Sequence, residues 1–281
     1  MQYKSALIIV VLAVAMFSAI IINRSLKPLK ASEAGAEEPP VEANTVPVLV
    51  ELFTSEGCSS CPPADELITR LERSQPIQGA QIITLSEHVD YWNRLGWTDP
   101  YSSAQFSERQ SLYANAFNKD DVYTPQAVVD GRAEFVGSNA GRARDEIAAA
   151  ARAPKATVSV SIAPGAAAQA VDVPLIIRVE NLPAISASDT AEVLLAISES
   201  ELRSEVSRGE NSGRSLRHSS VVRRLSEIGR VDSKNGAFNA GTLVRIEKAW
   251  KRENLKAVVF VQERASRRVL GVAALALGLK Q

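Results

Sequence analysis

Residues 46–63 read VPVLVELFTSEGCSSCPP. The apolar run 48–53 is followed by a polar turn, two cysteines separated by two residues, and two prolines. This pattern predicts a buried strand that delivers Cys58 to the start of a helix containing Cys61. Unpaired amide N–H groups at a helix N-terminus stabilise negative charge, so the first cysteine of such a pair can ionise below the free value of about 8.5. The second can then close a disulfide by attacking from the first turn.

A structural metal site usually needs four ligands. The chain has only two cysteines and two histidines, His88 and His218, which lie far apart with no ligand-like spacing. Redox chemistry is therefore the leading use of the pair, ahead of a static disulfide, with a metal site last; no metal and no cofactor are expected. A loop as short as Cys-x-x-Cys constrains little of the unfolded chain, which again favours chemistry over framework.

At 281 residues and 46% hydrophobic content, the chain is long enough for one large domain or two modest ones and too apolar to be disordered outside its linker. The 32 basic and 32 acidic residues balance, which gives no global case for nucleic acid as a partner.

Residues 6–22 form an apolar run broken only by Ser18, a length on the border between a signal-peptide core and a short membrane span. No Ala-x-Ala pattern follows closely, and no cysteine follows that could carry a lipid. Lys4 lies on one side of the run and Arg24, Lys27 and Lys30 on the other, so charge does not set an orientation. Residues 29–44, LKASEAGAEEPPVEAN, read as a flexible or semi-extended spacer. An exported dithiol would face an oxidising space where disulfides persist.

In 62–74, PPADELITRLERS, the apolar residues Ala64, Leu67, Ile68 and Leu71 recur at helical spacing, with Asp65, Glu66, Arg70 and Glu72 outside. Pro62 and Pro63 suit a helix's first turn. Residues 80–86, AQIITLS, are a second strand, parallel to the first. The insert 88–118 carries His88, Asp90, Tyr91, Trp92 and Trp97, then a helix near 102–117. Its aromatics read either as a substrate-facing groove beside the dithiol or as a small core fastening the insert to the sheet, and both can hold. Pro125 precedes a short strand at 127–129. Asp130-Gly131 predicts a hairpin turn into 133–136, and 139–151 a last helix capped by Ser138 or Asn139. This order of elements is that of a thioredoxin-like fold.

The blocks LFTSEGCSSCPPAD at 52–65, HVDYWNRLGWTDP at 88–100, VYTPQAVVDG at 122–131 and residues 134–138 together resemble an uncharacterised family of exported bacterial proteins with a thioredoxin-like domain. The resemblance covers most of 46–281 and implies export and that domain, with no established substrate. Carried over from thioredoxin-like oxidoreductases, it makes Cys58 the attacking thiol, Cys61 the resolving thiol, and Thr124-Pro125 a cis-proline loop facing them. The chain departs from ordinary thioredoxins in its Ser59-Ser60 dipeptide and in Gly57, where a tryptophan would precede the first cysteine. No buried acid or lysine identifies itself from the sequence as proton acceptor for Cys61.

Beyond residue 153 the composition shifts. Strands are expected at 156–162, 171–179, 191–198, 242–248, 255–262 and 268–277, which suggests an antiparallel sheet or small sandwich. Residues 203–230 hold seven arginines and three acids in a Ser- and Gly-rich setting. Without aromatic stacking residues this reads as a solvated hairpin and short linking helix, with His218 an ordinary surface or hairpin residue rather than a ligand.

The expected molecule is thus an α/β thioredoxin-like domain with a helical and aromatic insert, followed by a β-rich antiparallel region. Its segments are a signal or anchor at 1–28, a linker at 29–45, the thioredoxin-like domain at 46–153 and the β-rich domain at 154–281. The expected function is thiol–disulfide exchange on extracytoplasmic protein thiols or with a redox partner protein. Cys58, Cys61, Thr124 and Pro125 would form the reactive centre, with His88, Tyr91, Trp92 and Trp97 binding substrate. The protein would be periplasmic, soluble or anchored to the inner membrane. A non-catalytic binding module with a structural disulfide is the second reading, and thiol peroxidase the third. A nearby imidazole such as His88, if protonated, would stabilise a thiolate.

Overall fold

Strand β1 (Val46–Thr54) is buried on both faces, as its run of apolar residues requires. Val48, Val50 and Leu52 face one core, against helices α1 (Pro62–Ser74) and α3 (Ala140–Ala150). Leu49 and Phe53 face the other side, where helix α2 (Ala104–Ala116) contributes Phe106 and Tyr113. Strand β2 (Ala80–His88) pairs parallel with β1. On β1's other edge lies β3 (Gln126–Val129), antiparallel and joined to β4 (Ala133–Val136). The turn between them places Asp130 and Gly131 at positive φ, 49° and 62°, as the Asp-Gly signal predicts. Ser103 and Asn139 cap α2 and α3. A computed structural model supplies this description for residues 45–167, 170–185, 189–231 and 236–278. The expected signal or anchor at 1–28 and all but the last residue of the linker at 29–45 lie outside the described residues.

The C-terminal half shares its main sheet with the first half of the chain. Its strands are β5 (Thr157–Ile162), β6 (Asp172–Glu180), β7 (Ala191–Glu199), β8 (Leu202–Glu205), β9 (Ser215–His218), β10 (Val221–Val231), β11 (Phe238–Arg245), β12 (Leu255–Glu263) and β13 (Val269–Ala276). Four of them continue the first sheet, giving one eight-stranded mixed sheet in the order β13-β12-β7-β10-β2-β1-β3-β4. The junction is a parallel contact between β10 and β2 at Val221 and Ser86. Ser86 N–H donates to Ser220 O at 2.8 Å, the Ser86 hydroxyl to Ser219 O at 2.9 Å, and Thr84 pairs with the Ser220 hydroxyl at 2.9 Å. A second sheet, β11-β6-β5, packs on the far end through an aliphatic core that includes Leu175, Ile177, Val193 and Val259. Strands β8 and β9 form a two-stranded hairpin.

This architecture corrects the expected fold class. The molecule is predominantly β, with three α-helices among the described residues, and is not a thioredoxin-like α/β fold carrying a helical insert. The physical reason lies in β2. Its far edge needs partners for its backbone groups, and its second face needs Leu194, Ala196, Val222 and Phe260 from the C-terminal strands to cover Ile83 and Leu85. The expected linking helix within 203–230 is likewise absent. That stretch forms β8, β9 and the eleven-residue β10, an interior strand of the large sheet. Among the described residues no helix is long and apolar enough to cross a membrane.

Candidate functional site

Cys58 and Cys61 are joined in a disulfide, with Cys61 as the residue that opens α1. Both cysteines are fully buried, while Ser59 and Ser60 between them are exposed. Pro62 and Pro63 fill the first two helical positions and carry no N–H, and the next two amides, of Ala64 and Asp65, both donate to Cys61 O. The free amides expected to hold a thiolate are therefore largely missing. Side chains must supply the acid–base chemistry instead.

Asp65 is the nearest such group along the helix, one turn after Cys61. Helical periodicity assigns it to the outside, yet it is buried, and its Oδ1 accepts a hydrogen bond from the Thr54 hydroxyl at 2.9 Å. Burial pushes its carboxyl up to about 6, against the pull of His218 and His88. The expectation that the sequence identifies no buried acid is thus met by a residue it conceals. Thr54 lies on the α1 side of β1, two residues after Leu52, which is what brings its hydroxyl under the helix.

His88 ends β2 and is completely buried, with Nδ1 2.7 Å from Asp99 Oδ2. Burial alone would lower its pKa, but Asp99, Asp65 and Glu56 together outweigh burial, and the imidazole is shifted upward. Burial works against the Asp99 carboxylate too. His88 overcomes it and holds Asp99 below its ordinary value, helped by the backbone N–H groups of Glu56 and Tyr101. His218 is no surface residue. It sits at the end of β9, buried, with Nε2 3.0 Å from Glu56 Oε1. Glu56 Oε2 accepts from Trp97 Nε1 at 2.8 Å. The two imidazoles meet edge to face with centroids 5.0 Å apart, and Tyr101 packs edge to face on both.

The remaining residues expected at the site make a second set of contacts. The Thr124-Pro125 bond is cis, and Trp92 Nε1 donates to the Thr124 hydroxyl at 2.8 Å. Trp92 also closes over Gly57, where an added Cβ would come within 3.1 Å of the Trp92 Cβ. Tyr91 donates to Gln110 on α2 at 3.1 Å. Tyr91 and Trp92 pack against the small core of Phe53, Val89, Tyr113 and Val128, so they do fasten the insert to the sheet. The structure thus links Cys58, Gly57, Trp92 and Thr124 in one chain of contacts, and Trp97 and His88 in another that passes through Glu56 and Asp99.

The loop 206–214 between β8 and β9 covers the disulfide from outside. Asn211, fully buried, donates through Nδ2 to Glu56 O at 2.8 Å and Cys58 O at 2.9 Å. Glu210 accepts from Ser59 N–H at 3.0 Å. These contacts span more than 150 residues and left no mark in local sequence pattern. Among the described residues, no set of three His, Cys, Asp or Glu side chains is arranged to hold a metal.

Comparison with known proteins places this geometry in context. No curated protein matches the chain. A crystal structure of a protein from Agrobacterium tumefaciens is similar to it, with a TM-score of 0.65 and 28% identity over 85% of this chain and 98% of that one. A family model described as a protein of unknown function, DUF1223, matches residues 49–262, which hold the disulfide, both histidines and the covering loop. The chain belongs to the DUF1223 family.

Proposed function

We propose that this protein carries out thiol–disulfide exchange on protein thiols outside the cytoplasm, through the Cys58–Cys61 pair. The observation that carries the reading is the pair's placement at the start of α1 with a buried, proton-hungry carboxyl, Asp65, one turn further on. In the oxidising direction, a substrate thiolate attacks Cys58 Sγ, the S–S bond breaks, and Cys61 Sγ leaves with the electron pair and takes up a proton. A second substrate thiolate then attacks the substrate sulfur of the mixed disulfide and expels Cys58. The substrate is oxidised by two electrons and the pair is reduced by two. In the reverse direction Asp65, as carboxylate, accepts the Cys61 proton so that its thiolate can resolve the mixed disulfide. An extracytoplasmic setting is supported by the apolar run at 6–22 and by the disulfide itself.

Full burial of both cysteines, with the loop 206–214 fastened to the backbone of Cys58 and Ser59, favours a second reading, a partner-binding module with a structural disulfide. Equilibration of the protein in glutathione buffers, read by thiol alkylation, separates the two. A potential between about −120 and −270 mV with fast exchange supports catalysis, and one below about −300 mV with slow exchange favours the structural role. Cys61→Ser should trap substrate proteins as mixed disulfides at Cys58. A wild-type pair that exchanges with no dithiol, together with an empty trap, would remove the exchange reading.

A further inference from the structure

We propose that Arg73, Arg203 and Arg217 form a binding site for a phosphate dianion, taken up as the free ion or as the monoester of a small soluble molecule. The site goes beyond thiol exchange and does not depend on it. Residues 203–230 hold seven arginines against three acids. Several of these arginines are engaged within the protein. Arg223, Arg224 and Arg230 each lie beside a carboxylate, and Arg214 donates to Asn211 Oδ1 at 2.7 Å. Arg217 has neither a carboxylate nor a hydrogen-bond partner among the described residues. The β8–β9 hairpin sets it directly opposite Arg203, and both are exposed on the outer face while Leu216 and His218 turn inward. Like charges at opposed positions, with Cβ atoms about 4.5–5.5 Å apart, destabilise a hairpin. An anion held by both guanidinium groups reverses the sign of that interaction.

A third guanidinium comes from another element. Arg73, in the last turn of α1, lines the same cavity of about 270 Å³ as Arg203 and Arg217. At about 30 Å³ per water, that space holds a phosphate together with several waters. Ser219 lines it too. This serine is only 8% exposed, and its hydroxyl makes no hydrogen bond to another described residue, which leaves it free to donate to a ligand. The Thr69 hydroxyl on the same wall is already spent on Asp65 O, at 2.9 Å. Two carboxylates share the neighbourhood. Glu201 lines the cavity and pairs with Arg73, and Glu205 pairs with Arg203 at 2.8 Å. Three guanidinium groups against two carboxylates leave one positive charge in excess. All four side chains of these pairs are more than half exposed, so the pairs contribute little and can be exchanged for a ligand. A tetrahedral dianion offers acceptors in several directions at once and suits the paired N–H fork of each guanidinium, whereas each glutamate serves one arginine.

The test follows the arginine Nε–H signals of the full-length protein in nitrogen-15–proton spectra as inorganic phosphate is added at constant ionic strength. At about pH 8 the phosphate is a dianion. The signals of Arg73, Arg203 and Arg217 should move along one saturating curve, with a dissociation constant on the order of 1 mM or tighter. Arg203→Gln and Arg217→Gln should each weaken binding by about tenfold. Arg178→Gln, on β6 of the second sheet, should leave it unchanged. Methyl phosphate, titrated in the same way, separates the two sources of the dianion. Tighter binding of the ester upholds the site as one for a phosphomonoester, and tighter binding of inorganic phosphate upholds it as one for the free ion. The wild-type titration decides the matter without any variant, since no saturating shift at these arginines with either ligand overturns the site. An affinity unchanged in both Arg203→Gln and Arg217→Gln overturns it as well, and so does an equal weakening in Arg178→Gln, which would mark non-specific attraction to surface charge.

Discussion

Replacing Asp65 with asparagine probes the site's acid–base chemistry at one atom while keeping an acceptor for the Thr54 hydroxyl. Folding raises the Asp65 pKa from 3.8 to about 6, so the native state holds this proton more tightly than the unfolded chain. Stability associated with the group is therefore undiminished at low pH and is lost as pH rises through that window. Two units correspond to about 3 kcal/mol at most. In the oxidised protein, Asp65→Asn should be more stable than wild type by about 2–3 kcal/mol near pH 8, an advantage that vanishes near pH 4, as read by urea denaturation. The same variant should slow resolution by Cys61 by about a hundredfold. Equal destabilisation at both pH values would show that the buried carboxylate is not strained by desolvation. On the opposite face of β1, Arg109 holds Glu51 through two hydrogen bonds, at 2.7 and 2.5 Å, and lies 3.3 Å from Glu87. All three are buried, and burial pushes the Glu87 carboxyl upward. Arg109→Leu removes the cation and leaves carboxyl groups in the core. We expect a loss of about 3–5 kcal/mol in urea-derived stability, and a loss under about 1 kcal/mol would refute the pairing.

Two connecting elements carry constraints of a different kind. The loop 206–214 reaches the disulfide through Asn211, whose amide holds the carbonyls of Glu56 and Cys58. Asn211→Ala frees that cover with a modest effect on stability, about 1–2 kcal/mol. Reduction of the disulfide by a small dithiol should then accelerate by about tenfold if loop displacement limits access, since a tenfold rate change requires only about 1.4 kcal/mol. An unchanged rate would mean that the sulfurs are reached by another route. The β3–β4 turn is the second case. Gly131 has φ of 62°, and a Cβ there would fall 1.8 Å from the carbonyl oxygen of Arg267 in the β12–β13 turn. Gly131→Ala combines backbone strain with a steric clash and should lower stability by about 2–4 kcal/mol. Thermal unfolding that leaves the midpoint in place would count against that contact.

At the scale of the whole molecule, one sheet runs through both halves of the chain, and α1 is tied to the second half by Glu72. That carboxylate accepts from the Ser220 hydroxyl at 2.7 Å and from Lys256 Nζ at 3.1 Å. His218, Asn211 and the covering loop also come from the second half. A fragment of residues 46–153 would expose the β2 edge together with the apolar face of Ile83, Leu85 and Leu49. It should be insoluble or lack fixed tertiary packing, with weak near-ultraviolet dichroism and strong binding of a hydrophobic dye. Cooperative unfolding of that fragment with the stability of the full chain would contradict the shared sheet.

Local pattern determined a good deal. The apolar run at 48–53, the helical spacing of Leu67, Ile68 and Leu71, the Asp130-Gly131 turn and the Cys-x-x-Cys spacing each act over a few residues, so β1, α1, the β3–β4 hairpin and the position of the disulfide could be read before the fold was known. Most strands of the second half could be placed as elements for the same reason. Their partners could not, because alternation shows which face of a strand is buried and not which edge it joins. The same limit hid the acid–base cluster. Asp65 falls on the polar side of its helix by periodicity, and His218 lies in a Ser-, Gly- and Arg-rich stretch that reads as solvated. Only the tertiary structure buries both, because Thr54, Glu56 and Asp99 supply the hydrogen bonds and charge that make a buried acid and two buried imidazoles tolerable, and these partners come from the end of β1 and from the insert, while His218 arrives from the second half of the chain.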